Sequence, residues 1–190
     1  MGKLEKEVPL HLTYHNLSHT IDVLQAAERI AGNEGVVESE VELLLTAALF
    51  HDTGFLIKSE GHEMESCHIA KAALPLYDYT AAEIELVCKL IMATRIPQTP
   101  MGKLAEILCD ADLDYLGRDD FFALSDQLFT ELKNEGVVRN EDEWNRKQAD
   151  FMGSHHYFTA SQVKLRQPVK KKYLELIKSK ITNQLFNENQ

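Results

Sequence analysis

Three short polar segments, far apart in the chain, constrain its fold more than anything else it contains. They are Tyr14-His15-Asn16-Leu17-Ser18-His19, then His51-Asp52, then Asp110-Ala111-Asp112. Imidazole and carboxylate groups are the usual ligands of a first-row divalent metal. For these segments to share one ion, the fold has to bring three helices to a point. The remaining sequence suits that demand, because it reads as helix almost throughout. From Leu17 to Ala31, apolar Ile21, Leu24, Ala27 and Ile30 recur at three-residue steps, which suggests one apolar helical face. A second helix, Glu38 to Phe50, is apolar nearly all round in its second half and is expected to be the central buried one. Helices follow from His62 to Leu76, from Thr80 to Thr94 behind a Thr80-x-x-Glu83 capping box, and from Lys103 to Leu116 beyond the break at Pro97 and Pro100. Asp119 to Asn134, Asn140 to His155 and a last helix from Thr159, interrupted by Pro168, complete the chain. No useful stretch alternates as a strand does. The fold class is all-α, and 190 residues point to a single domain with a proper core.

Within the segments, spacing narrows the chemistry. His15 and His19 are four apart, but His15 falls in the turn before the helix, which leaves His19 on it. His51 and Asp52 are adjacent, so on a regular helix they would splay by about 100°. Both reach one ion only at a helix end, and Gly54 supports an end there. A mixed set of His nitrogens and Asp oxygens suits Mn, Fe, Co, Ni or Zn better than an all-oxygen Mg or Ca cage.

In order and residue type, the three segments resemble the HD-domain superfamily of metal-dependent phosphohydrolases, whose pattern of His, His-Asp, Asp runs along an all-helical bundle. The resemblance covers about Tyr14 to Gly117, and the helices over 118–182 are expected to pack on that core. It implies His19, His51, Asp52 and Asp112 as metal ligands. Asp112 is preferred to Asp110 because Ala-Asp-Leu is the local pattern of related enzymes. The first segment also resembles the Tyr-His-Asn-x-x-His opening of the cyclic-nucleotide phosphodiesterases, which implies His15 as a general acid beside the metal. Those enzymes carry further His and Asp right after His-Asp, whereas this chain has Thr53, Gly54 and Phe55, so a cyclic nucleotide is not implied. His62 stands where some two-metal relatives place a histidine, and is read as a ligand or a phosphate contact. Thr94 stands where such relatives carry another, which weakens a histidine-built pair of ions. The expectation is one tightly held transition-metal ion, with a weak second ion such as Mg on water and Asp52, whose carboxylate could bridge the two.

What the resemblance implies is hydrolysis of a phosphomonoester or phosphodiester by metal-activated water, with a nucleotide as leading substrate. A bound metal brings the pKa of water towards 7 and polarises a phosphoryl oxygen. The leaving alkoxide needs a proton, which an imidazole can deliver near neutrality. Lys58, Arg95, Lys103 and Arg118 are candidate phosphate contacts alongside His62, with Arg95 and Arg118 the favoured pair. Two rival readings are a di-iron oxygenase on the same fold, which the Thr94 departure disfavours, and a nucleotide-binding domain without turnover.

Composition sets the outer limits. A net charge of −10 argues against binding nucleic acid and makes any phosphorylated substrate depend on local positive charge. The basic run Lys164 to Lys180 reads as a solvated helix face. His155-His156-Tyr157-Phe158 could reach the rim of a pocket, and Trp144 with Phe151 reads as core. Cys67, Cys88 and Cys109 are widely spaced in apolar stretches, as expected of buried reduced thiols in the cytosol. The longest apolar run, Leu43 to Phe50, is too short for a membrane, and the N-terminus carries no signal pattern or myristoylation site.

Overall fold

The computed structural model describes residues 11–188, with side chains to residue 182. The N-terminal stretch read for targeting signals lies largely outside them. The described residues contain helices and turns and no strand: α1 Leu17–Asn33, α2 Glu38–Phe50, α3 His62–Ala73, α4 Ala81–Ala93, α5 Lys103–Asp112, α6 Phe121–Asn134, α7 Glu141–Ser154, α8 Ala160–Leu165 and α9 Gln167–Glu188. No described helix is long and apolar enough to cross a membrane.

Local chemistry sets several of these boundaries. The Asn16 side chain accepts from the Ser18 and His19 amides and so caps α1, fixing His19 in its first turn. Thr80 and Glu83 close the reciprocal capping box at α4. Elsewhere the helices are shorter than expected. Pro75 turns the end of α3 into a 3₁₀ turn over Leu74–Tyr77, and α5 stops at Asp112, with a 3₁₀ turn over Asp114–Gly117. Pro168 lies in the first turn of α9, where its missing N–H costs nothing.

Helix α1 corrects the expected face. A strict three-residue step advances about 300° per step at 3.6 residues per turn, so Ile21, Leu24, Ala27 and Ile30 wind around the helix. The buried stripe is instead His19, Val23, Ala26, Ala27 and Ile30, spaced by four, three, one and three. A histidine thus heads the core-facing side. In α2 the fully buried side chains are Leu44, Ala47 and Ala48, flanked by partly buried Leu43, Leu45 and Phe50.

Two apolar clusters meet across the bundle. One joins α1 to α5 through Ile30, Leu44, Val87, Ile91, Ile107 and Leu108. The other joins Tyr14, Tyr115, Leu116 and Phe121 to Met152 of α7 and Leu174 and Ile177 of α9. The three cysteines are free and buried. The basic run is not wholly solvated: Lys170 falls in step with Leu174 and Ile177 on the apolar stripe of α9 and is 2% exposed. Its Nζ bonds His155 through the ring Nδ1 at 3.0 Å and the main-chain carbonyl, which explains how the charge is tolerated there.

Candidate metal centre

Helices α1, α2 and α5 bring His19, His51, Asp52 and Asp112 to one point. His51 ends α2 in helical conformation, and Asp52 leaves it at φ −107° and ψ 5°. That break removes the splay of two adjacent helical residues, and the His51 Nε2 and Asp52 Oδ2 atoms stand 3.2 Å apart. His19 Nε2 lies 3.3 Å from Asp52 Oδ2 and 3.3 Å from Asp112 Oδ1, and His51 Nε2 lies 3.5 Å from Asp112 Oδ1. One ligand atom each from His19, His51 and Asp112 falls within 4.8 Å of the others.

These atoms fit a cation. His19 Nε2, His51 Nε2 and Asp52 Oδ2 are all buried without a hydrogen-bond partner, an arrangement that is costly unless something else satisfies them. Ligands about 2.1 Å from one ion stand about 3.0–3.4 Å apart at octahedral or tetrahedral angles, which matches the separations here. His51 Nδ1 donates to the Ala48 carbonyl at 2.7 Å, which leaves the Nε2 lone pair facing the carboxylates. Without a cation, protons hold the set together. Burial pulls the His19 imidazolium down, but the Asp112 and Asp52 carboxylates outweigh it and raise its pKa to about 9. Burial likewise raises Asp112, and the two imidazoles overcome that and bring it to about 2.

The two oxygens of Asp52 look different ways. Oδ2 faces His19 and His51, while Oδ1 lies 3.3 Å from His62 Nε2. His62 Nδ1 bonds the Ser59 carbonyl at 2.9 Å, so its Nε2 is also the free nitrogen. The backbone holds this relation. Ser66 Oγ donates to the His51 carbonyl at 2.6 Å and accepts from the Gly54 amide at 2.8 Å. A Cβ on Gly54 would stand 1.9 Å from the His62 carbonyl oxygen, so only glycine fits.

His15 stands beside the ligands, its ring centroid 5.8 Å from that of His19. It stacks on Phe55 at 4.1 Å, and Phe55 stacks on His62 at 4.0 Å. Its Nδ1 bonds Glu131, a carboxylate of α6 that also accepts from the Tyr14 and His15 amides at 2.7 and 3.0 Å. Burial opposes the Glu131 charge, and these hydrogen bonds more than compensate, so its pKa is lowered. Sequence reasoning missed Glu131, though a signal existed: it continues the Phe121, Leu124, Leu128 stripe of α6, where an unpaired carboxylate has no place.

Beside the ligands opens a cavity of about 520 Å³, lined by His15, His62 and Asp112 and by mostly apolar side chains, with Glu63, Thr94, Lys147 and Gln148 among them. Of the expected phosphate contacts, only His62 lines it. Lys58 pairs with Glu65 at 2.7 Å, and Arg95 is exposed while its neighbours Thr94 and Ile96 line the cavity. Lys103 Nζ bonds the Glu34 carbonyl at 2.6 Å. Arg118 is held by Asp22 at 2.6 Å and by Asp120, in a separate pocket with Arg29, Arg166 and Asp114. The acidic chain meets its own arginines before any ligand does. Asp110 faces away from Asp112, accepting from the Phe158 and Thr159 amides at 2.9 and 2.8 Å, and its burial raises its pKa to about 6. Phe158 and Tyr157, whose hydroxyl donates to the Leu113 carbonyl at 3.1 Å, thus brace the end of α5, and none of His155 to Phe158 lines the cavity. Trp144 is buried and Phe151 partly buried against the second cluster, and both also form the cavity wall.

The family model described as "HD domain" matches residues 16–114, just over half of the chain. No curated protein matches the sequence. The structure is similar to the crystal structure of a predicted HD superfamily hydrolase from an uncultured Thermotogales bacterium, with TM-score 0.58 and 21% identity over 89% of this chain and 81% of that one. With the three helices carrying His, His-Asp and Asp to one buried point, the chain belongs to the HD-domain family.

Proposed function

We propose that the protein is a metal-dependent phosphohydrolase that cleaves a phosphomonoester or phosphodiester of a small molecule, nucleotides being the class the sequence favours. The observation that carries the reading is the convergence of partnerless, buried His19 Nε2, His51 Nε2 and Asp52 Oδ2 with Asp112 at ligand spacing. These four residues would hold a divalent transition-metal ion, with Asp52 Oδ1 and His62 available to a second. When bound, the cation supplies Lewis acidity towards a phosphoryl oxygen and a water acidic enough to deprotonate near neutrality.

The protein's own groups do the rest. His15 reaches the cavity with Nδ1 engaged by Glu131, so Nε2 is the nitrogen that exchanges a proton. A buried carboxylate on the far nitrogen fixes the ring and turns Nε2 towards the cavity, as suits a general acid for the leaving oxygen. The Phe55 ring between His15 and His62 keeps both imidazoles in register. Elemental analysis of the untreated protein, followed by a phosphate-release screen with added Mn, Ni or Mg, tests the proposal. We expect about one ion per chain and metal-dependent release. A protein that binds no transition metal at micromolar concentration refutes it.

A further inference from the structure

Resting on the hydrolase reading but departing from its nucleotide substrate, we infer that the substrate carries a single phosphate on an apolar alcohol, an aryl or branched-alkyl ester, and that the α6–α7 wall selects it. Of the four proposed ligands Asp112 lines the cavity, beside His15 and His62, so the group leaving the phosphorus towards His15 would lie within it. Its walls elsewhere include Leu113, Leu116, Leu128, Leu132, Trp144 and Phe151. At about 520 Å³ it falls in the range of small-molecule sites, which take most of a ligand out of water.

Charge excludes a polyphosphate. Among the described residues lining the cavity, Lys147 is the one lysine or arginine, and it is exposed. Glu63, buried in the same lining, adds negative charge next to His62. A second or third phosphate would meet this carboxylate with no guanidinium to offset it, since Arg118, Arg29 and Arg166 line the other pocket.

Polarity disfavours a nucleoside as well. The Gln148 amide is tied to Ser125 Oγ at 2.6 Å and the Thr94 hydroxyl to the Ile91 carbonyl at 2.8 Å, which leaves few donors for ribose hydroxyls or a base edge. Each sugar hydroxyl buried unpaired costs about tenfold in affinity, whereas each methylene laid on this wall gains about fourfold. An apolar ring or branched chain is therefore what the wall rewards.

The chain has a single tryptophan, and it lies in this wall, so its emission reports occupancy without any turnover. The test titrates Mn-loaded protein with naphthylmethylphosphonate, which cannot be hydrolysed, and in parallel with inorganic phosphate, adenosine monophosphate and adenosine triphosphate. The naphthyl ligand is expected to shift Trp144 emission and to bind at least about tenfold tighter than each of the others. Leu132→Phe, which fills the cavity, and Leu128→Asn, which makes it polar, are each expected to reduce that margin to less than threefold with bound Mn unchanged. Equal or tighter binding of either nucleotide overturns the inference, as does a naphthyl ligand no tighter than phosphate alone. If the naphthyl ligand binds as expected while naphthyl phosphate is not hydrolysed, the hydrolase reading fails and the apolar subsite stands.

Discussion

Replacing Glu131 by Gln separates proton donation from metal binding. The wild-type carboxylate is buried, accepts two main-chain amides at 2.7 and 3.0 Å and bonds His15 Nδ1. Glutamine has the same shape and keeps the amide contacts through its carbonyl oxygen, but it turns an NH2 group, which cannot accept, towards His15 Nδ1. A hydrogen bond to a charged group is worth about 1.5–3 kcal/mol, and the variant loses about that much of the hold on the His15 ring. Acid catalysis should weaken accordingly, and kcat for an alkyl phosphate should fall by about 10- to 100-fold with little change in KM. p-Nitrophenyl phosphate, whose leaving group departs without a proton, should lose less than about threefold. Steady-state kinetics on both esters with Mn, beside metal analysis and a melting curve, measure all of this. A melting temperature lower by about 3–10 °C is expected from the lost hydrogen bond alone. Equal losses on the two esters, or a variant that no longer binds Mn, would refute the assignment of Glu131 to His15.

His51→Ala and Asp52→Ala should each remove bound metal and most activity, while His15→Ala keeps the metal and slows turnover; full metal content in the first two contradicts the ligand set. Gly54→Ala should cost about 3 kcal/mol, since a Cβ 1.9 Å from the His62 carbonyl oxygen pushes α3 off the turn, and thermal denaturation reads it directly. In chelator-treated protein the His19 value of about 9 lies above the 6.5 of free imidazole. Its pairing thus contributes stability that is complete below about pH 6.5 and is lost as pH rises through 9; a melting temperature flat across that window contradicts it. The same proton competes with the cation, so apparent Mn affinity should climb with pH up to about 9, which calorimetry at several pH values would show.

Much of this was legible because it is local. The Asn16 cap, the Thr80 capping box and the break at Gly54 are short-range chemistry, and the ligand segments stand out by residue type. Asp112 and Asp110 differ by about 200° around α5, so a choice between them needs the helix's facing, which spacing alone does not give. The phosphate contacts were not legible. Lys58, Arg95 and Arg118 lie near the motifs in sequence, but in an acidic chain Glu65, Asp22 and Asp120 claim Lys58 and Arg118, and Arg95 stays on the surface. Glu131 lies 116 residues from His15, and that contact is made by packing α6 against the start of α1. The cavity wall is of the same kind: Trp144 looks like any core aromatic until α7 is seen beside the ligands.

Ser66 and His62 are one turn apart on α3, and the Ser66 hydroxyl grips the main chain on both sides of Asp52-Thr53, at the His51 carbonyl and the Gly54 amide. The gap between Asp52 and the third imidazole is thereby gauged by main chain, as in a caliper whose jaws have been locked. An ion of larger radius finds a frame that does not widen to suit it. Preference among cations is then a matter of size as much as of ligand softness, and it is written into a serine and a glycine that never touch the ion.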